Sequence, residues 1–190
     1  MLDILKSLAY HGFKKMIIVN GHGSNHNLVD MVARRVIVET DASCVFCSWW
    51  QLLKVNPDFD KQWRESVFPG GCSHAGELET SMLLHLSPES VRMDRIKSEI
   101  AKTNKLGSKY VWTDLFAKGV MGLIEWTSQY SDSGVMGEAE KATAEKGRIV
   151  FEEVSGNLAE FIEEYHAMKI EPRTRHQATE PTFPLSYPTD

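Results

Sequence analysis

The spacing of apolar residues over positions 1–50 predicts a helix, a strand, a second helix and a second strand. A helical stripe begins at or before Met1 and ends at Gly12, since glycine is common just after a helix. Residues 15–19 form an apolar run typical of buried parallel strands, and residues 42–49 form another. Between them, residues 28–39 repeat apolar side chains on one helical face. This order predicts an α/β fold with a mostly parallel sheet covered by helices.

The remainder of the chain predicts two further helices separated by loops. One begins near Gly76 and ends before Pro88, because apolar side chains recur there at every fourth position. The other is a long amphipathic helix over residues 138–168. Residues 169–190 contain four prolines and predict an extended tail that becomes ordered only against a neighbour. We therefore expect one α/β domain over residues 1–168 and a separate tail over residues 169–190.

Composition narrows the range of functions. A length of 190 residues fits one domain, and a net charge of −5 without a dense basic run argues against a nucleic-acid partner. No apolar segment approaches the roughly 20 residues that span a bilayer, so no membrane association is expected. Cys44, Cys47 and Cys72 form no disulfide framework, and Cys44 and Cys47 lie in a strand-like run. We expect a cytoplasmic protein whose C-x-x-C packs in the core; a redox or zinc function for it is the lowest-ranked alternative.

The first candidate for chemistry is His22, within the sequence NGHGSNHN at positions 20–27. This stretch follows a predicted strand and precedes a helix, and open α/β sheets bind ligands at that edge. His22 stands between two glycines, so little side-chain bulk shields it. From the residues alone, His22 could bind a metal, act as an acid or base, or only hydrogen-bond the loop.

The second candidate lies at the start of the helix near Gly76, where His74, Glu77 and Glu79 follow one another. A carboxylate in the first turn of a helix ordinarily complements the helix dipole, and this explanation suits Glu77. Glu79 is followed four residues later by Leu83, so we expect it to point inward. A carboxylate facing a core needs a partner, and a metal ion is one possibility.

Three stretches at this order and spacing together resemble the creatininase family of metal-dependent amidohydrolases. They are NGHGSN at 20–25, HAGELETS at 74–81, and GVMG at 134–137 followed by ATAEKG at 142–147. The resemblance implies a three-layer α/β/α fold and two divalent ions, Zn²⁺ or Mn²⁺, that support hydrolysis of C–N bonds in cyclic amides, formamides or similar small amides. It also implies a homo-oligomer, a hexamer in many family members.

Carried over by position, the resemblance implies roles for individual side chains. His22 and Glu79 match metal ligands, and His74 matches the histidine that moves protons beside the metals. Independently of the resemblance, Trp49 or Trp50 is expected to form an apolar wall near His74, because both follow the neighbouring predicted strand, and both are candidates for substrate contact. Ser24 and Glu77 are the other candidates for substrate contact, and Ser24 stands where creatininase itself carries a glutamate.

The resemblance also predicts an incomplete metal site. The family's first motif, a Glu-x-His pair and a later Asp, lies upstream of the part that this chain matches, so we expect an N-terminally incomplete domain. Two hypotheses follow: a metal-dependent amidohydrolase acting on a non-peptide C–N bond, or a non-catalytic module that keeps the fold for assembly. We expect the chain alone to bind metal weakly.

Overall fold

The computed structural model describes residues 1–174; residues 175–190, most of the predicted tail, lie outside the described residues. The chain divides into two compact units. The first unit consists of Met1–Trp49 and the chain from Ala159 onward, and the second consists of Trp50–Leu158. The boundary predicted at residue 168 between domain and tail stays a prediction; residues 169–174 have no regular secondary structure.

The first unit contains the predicted strand–helix–strand arrangement. Its elements are α1 (Leu2–Tyr10), β1 (Lys15–Asn20), α2 (His26–Glu39) and β2 (Ser43–Ser48). The two strands are parallel, with Lys15 opposite Ser43 at one end and Asn20 opposite Ser48 at the other. Gly12 follows α1 with a φ of +97°, as its predicted position after the helix requires. The parallel pair brings the ends of both strands, and the turns that follow them, to one edge.

The core of the first unit consists of buried apolar side chains from α1, α2 and β1 and of Ala42 just before β2, with Cys44 and Phe46 of β2 packed against them. The buried set is Leu5, Ala9, Met16, Ile18, Val29, Ala33, Val36 and Ala42. Lys15 ties the end of the last helix to this sheet: its Nζ donates to the carbonyls of Tyr165, His166 and Met168 at 2.8, 2.7 and 2.6 Å. A lysine so placed satisfies carbonyls that a helix end leaves without partners.

The second unit combines a short antiparallel strand pair with helices and long loops. Its elements are β3 (Cys72–His74), α3 (Glu77–Leu86), α4 (Lys102–Lys105), α5 (Thr127–Tyr130), β4 (Met136–Gly137) and the first part of α6 (Ala144–Ala167). β3 pairs antiparallel with β4: Cys72 lies opposite Gly137, and His74 lies opposite Met136. The bounds of α3 agree with the helix predicted between Gly76 and Pro88. No helix of the described chain combines the length and apolar character needed to cross a membrane.

The start of the long C-terminal helix was predicted wrongly. The pattern places it at Glu138, whereas α6 begins at Ala144 after a 3₁₀ turn at Ala139–Lys141. The Thr143 hydroxyl accepts the N–H of Lys146 at 3.1 Å, as an N-cap does, and the N–H of Thr143 donates to Ser81 Oγ at 3.1 Å. The Thr143 cap marks the start of the helix, a signal that apolar periodicity alone does not contain.

Candidate active site

His22 lies in the turn that follows β1, at the sheet edge where the sequence predicts a ligand. Its side chain is exposed. Its Nδ1 accepts the backbone N–H of Ser24 at 3.3 Å, and residues 23–25 form a 3₁₀ turn that leads into α2. The bond is long, so it restrains the imidazole only weakly. The exposed Ser24 therefore meets His22 through its backbone; contact of its hydroxyl with a substrate stays a prediction.

Three polar residues beneath this turn form a hydrogen-bond network that the sequence analysis did not identify. Asn20 closes β1 and Ser48 closes β2, and both are buried. Asn20 Nδ2 donates to Ser48 Oγ at 2.9 Å, and Ser48 Oγ lies 3.0 Å from Nδ1 of His26. The available signal was a polar residue at the end of each apolar strand. In a parallel sheet, such residues meet at one edge.

His74 and Glu79 occupy the two sides of the turn between β3 and α3. Ala75 adopts a φ of +48°, which turns the chain sharply between the strand and the helix. Its N–H donates to Glu79 Oε2 at 2.6 Å, and the same oxygen lies 3.9 Å from Nδ1 of His74. The turn therefore holds an imidazole and a carboxylate side by side, with His74 and Glu79 side chains 45% and 29% exposed.

The structure places the two glutamates of α3 in different environments. Glu79, expected to point inward, is partly exposed, and Glu77, for which the helix dipole was the expected explanation, has no exposed surface. The reason is a distant partner: Lys146 Nζ donates to Glu77 Oε1 at 2.5 Å from the first turn of α6. The backbone N–H groups of Glu65 and Ser66 donate to the same carboxylate at 3.0 and 2.8 Å.

The hydrogen bonds of Glu77 keep it ionised inside the second unit. Burial alone would raise the pKa of Glu77, but the hydrogen bonds from Lys146, Ser66 and Glu65 outweigh it and leave the pKa below its usual value. For Lys146 the directions are reversed. Burial lowers its pKa, but its hydrogen bonds to Glu77 and Glu65 outweigh burial and raise the pKa above its usual value. Both carboxylate oxygens of Glu77 have partners here; its contact with a substrate stays a prediction.

Glycines let the quoted motifs approach one another closely. A Cβ on Gly76 would lie 2.6 Å from the carbonyl oxygen of Gly71, and one on Gly137 would lie 2.5 Å from the same atom. The N–H of Glu138 also donates to that carbonyl, at 2.9 Å. HAGELETS and GVMG therefore meet backbone to backbone, an approach that side chains would prevent.

The two tryptophans predicted to line the site are placed differently. Trp50 is 4% exposed, and its Nε1 donates to the carbonyl of Leu115 at 2.9 Å within the second unit. Trp49 is partly buried and follows β2 directly in the first unit. Their predicted contact with a substrate remains a prediction.

The thiols are not placed as a redox pair: Cys72 is buried, and Cys44 and Cys47 are half-buried. Cys44 and Cys47 are free and lie on β2. Side chains three positions apart on a strand point to opposite faces, which does not suit a disulfide between them. Burial raises the pKa of both thiols, and it raises the pKa of Cys72 to about 11. A raised pKa disfavours the thiolate needed for redox or metal chemistry.

The candidate ligands suit a divalent metal by type, but not by number. Imidazole and carboxylate groups are suitable donors for zinc and manganese. Within residues 1–174, however, no group of three or more His, Cys, Asp or Glu side chains is arranged to hold a metal ion. His22 belongs to the first unit, and His74 and Glu79 belong to the second. Sharing of one metal by His22 and Glu79 stays a prediction.

A family model described as Creatininase: Creatinine amidohydrolase matches residues 1–162. The chain belongs to the creatininase family. This match confirms the resemblance drawn from the three motifs and extends it over the segments between them.

Curated relatives within the family differ in function. The chain is 32% identical over 138 residues to a mycofactocin precursor peptide peptidase of Mycobacterium tuberculosis (strain CDC 1551 / Oshkosh), covering 73% of this chain and 43% of the relative. It is 26% identical over 168 residues to a creatinine amidohydrolase of Pseudomonas putida, covering 85% of this chain and 60% of the relative. The chain therefore spans about half the length of these relatives.

Solved structures confirm the predicted fold class. A candidate creatinine amidohydrolase from Bacteroides fragilis NCTC 9343 superposes with a TM-score of 0.65 at 28% identity, covering 89% of this chain and 60% of that chain. Two creatininase structures, one of a Zn-Zn type and one named for Mn, match with TM-scores of 0.64 and 0.65 at 25% and 24% identity. Each covers 88% of this chain and 62% of the solved chain. Zinc and manganese are thus the metals named for these neighbours.

Proposed function

We propose that this chain is part of a metal-dependent amidohydrolase that cleaves a C–N bond. The observation that carries the proposal is the β3–α3 turn of a creatininase-family chain, where the His74 imidazole lies 3.9 Å from the Glu79 carboxylate. In this proposal Glu79 and His22 bind metal and His74 carries a proton to the departing nitrogen. A bound Zn²⁺ or Mn²⁺ would polarise the amide carbonyl and make water more acidic.

The substrate class is proposed more broadly than the sequence alone suggested. Cyclic amides and formamides remain candidates, but a peptide amide joins them, because one relative is a precursor peptide peptidase. Ser24 stands where creatininase carries a glutamate, which argues against creatinine itself as the substrate. The restriction to non-peptide bonds is therefore not part of the proposal.

The experiment is a titration of the purified 190-residue chain with Zn²⁺ and with Mn²⁺, followed by assays on a cyclic amide, a formamide and a short peptide. His22→Ala and Glu79→Gln should each reduce metal binding. His74→Ala should leave binding intact and reduce any turnover. His11→Ala is the matched control, since His11 is an exposed histidine after α1. Loss of metal with His74→Ala, or unchanged binding in the other two variants, would contradict the assignment.

A non-catalytic assembly module is the second candidate function. It is favoured by one observation: residues 1–174 contain no group of three metal-binding side chains. A catalytic zinc ion usually has three protein ligands. If the chain neither binds metal nor hydrolyses any of the three substrates, the second candidate stands and the first fails for this polypeptide.

We also propose cytoplasmic localisation and self-association. Parallel sheets are normally covered on both faces, yet Val19 of β1 is 45% exposed, and Ile4 of α1 and Leu28 of α2 are 65% and 61% exposed. Association of chains would remove such apolar surface from water. Sedimentation velocity at micromolar concentration tests this proposal, and a monomer that stays monodisperse would contradict it.

A further inference from the structure

Asn20 holds the peptide groups of His22 from both sides. Its Nδ2 donates to the carbonyl oxygen of His22 at 2.7 Å, and its Oδ1 accepts the N–H of His22 at 3.3 Å. Asn20 is 5% exposed, so its amide is shielded from water that would compete for these bonds. His22 is flanked by Gly21 and Gly23, which restrict the backbone little by themselves. The Asn20 amide therefore supplies order that the local sequence lacks.

Asn20 is itself held by residues of the neighbouring strand and helix. Its Nδ2 also donates to Ser48 Oγ at 2.9 Å, and Ser48 has no exposed surface. Ser48 Oγ lies 3.0 Å from Nδ1 of His26, whose ring packs against Phe46 with centroids 5.4 Å apart. This chain of contacts fixes the amide plane of Asn20, because a rotated amide would lose partners on both sides.

We propose that Asn20 is a positioning residue for His22, with Ser48 and His26 anchoring its amide. The inference rests on the proposed function, which gives His22 the role of a metal ligand. Replacing a group that orients a metal-binding histidine typically lowers metal affinity by about 10- to 100-fold. Here the orienting bonds reach the backbone of His22 rather than its ring. They fix the backbone position of His22, and therefore the point at the sheet edge from which its side chain projects.

The experiment compares Asn20→Ala and Ser48→Ala with the control Asn27→Ala in the full chain. Asn27 is an exposed asparagine on α2, in the same segment. Zinc affinity is measured by competition with a chromophoric chelator and corrected for the folded fraction. The His22 ring is followed by ¹H–¹³C NMR without metal, its resonance assigned with His22→Gln. Asn20→Ala should weaken zinc binding by about tenfold and shift the His22 resonance; Ser48→Ala should act in the same direction.

The outcomes separate positioning from stability and from the proposed function. If Asn20→Ala and Ser48→Ala lower stability but leave zinc affinity and the His22 resonance as in Asn27→Ala, the role is structural and the inference is wrong. If the unaltered chain binds no zinc, the proposed function fails, and the His22 resonance alone decides the inference. If Asn20→Ala does not fold, Ser48→Ala carries the comparison, since it removes only one buried hydroxyl.

Discussion

Replacing Lys146 by methionine should destabilise the protein strongly, because it leaves a buried carboxylate without its cation. Glu77 has no exposed surface, and Lys146 is 12% exposed at the side chain. Breaking a buried ion pair by removing one partner costs about 3–5 kcal/mol. Glu77 keeps the N–H donors of Glu65 and Ser66, so we expect the lower end, about 3 kcal/mol.

Urea unfolding followed by circular dichroism measures this loss. With a slope of about 2 kcal/mol/M, the midpoint should fall by about 1.5 M. Arg148→Met is the matched control on the same helix, because Arg148 pairs with Glu145 and Glu152 at the surface; its effect should be much smaller. The double variant Glu77→Gln/Lys146→Met should lose less than Lys146→Met alone, since it buries no unpaired charge. Equal losses for Lys146→Met and Arg148→Met would refute the reasoning.

The pH dependence gives a second check on the same pair. The folded-state pKa of Glu77 lies below its ordinary value of 4.5, so its contribution is present above that value and is lost as the pH falls through the folded pKa. The folded-state pKa of Lys146 is raised above 10.5, so its contribution is present below that value and is lost as the pH rises through the folded pKa. The gap between the unaltered protein and Lys146→Met should narrow in acid below pH 4.5 and be widest near neutrality.

Two further predictions concern other contacts. Gly147→Ala should destabilise the protein by about 1–3 kcal/mol in thermal melts, because a Cβ at Gly147 would lie 2.0 Å from the carbonyl oxygen of Ser81. The control is Gly156→Ala on the same helix, where a Cβ would meet no atom within 4 Å; this variant should be neutral or stabilising. The Glu99 carboxyl should titrate in ¹³C NMR near its pKa of about 2, which the Ser133 hydroxyl and the N–H groups of Asp132 and Ser133 lower. Ser133→Ala should raise that midpoint, and an unchanged midpoint would show that the hydroxyl is not responsible.

The sequence predicts local order well in this protein and distant partnerships poorly. The parallel pair of strands, the end of α1 and the bounds of α3 follow from periodicity and from glycine and proline positions, which act over a few residues. The burial of Glu77 does not, because its partner Lys146 lies 69 positions away. Both residues were within recognised motifs, yet spacing along the chain does not say which side chains pair. The start of α6 was missed for a different reason: Thr143 caps the helix locally, and apolar periodicity does not register a cap.

The contacts within the second unit also change what the family motifs can be taken to mean. Gly76 and Gly137 serve close backbone packing, and Glu77 and Lys146 form a buried pair, so much of the recognised sequence builds the frame of the β3–α3 turn. A chain that had lost its chemistry would still need that frame to fold. Retention of these residues therefore does not separate an enzyme from an assembly module. Within this unit, the distinction depends on His74 and Glu79, whose side chains are partly exposed. Replacing His74 should leave the frame intact, whereas Glu79 also accepts the N–H of Ala75 within the turn.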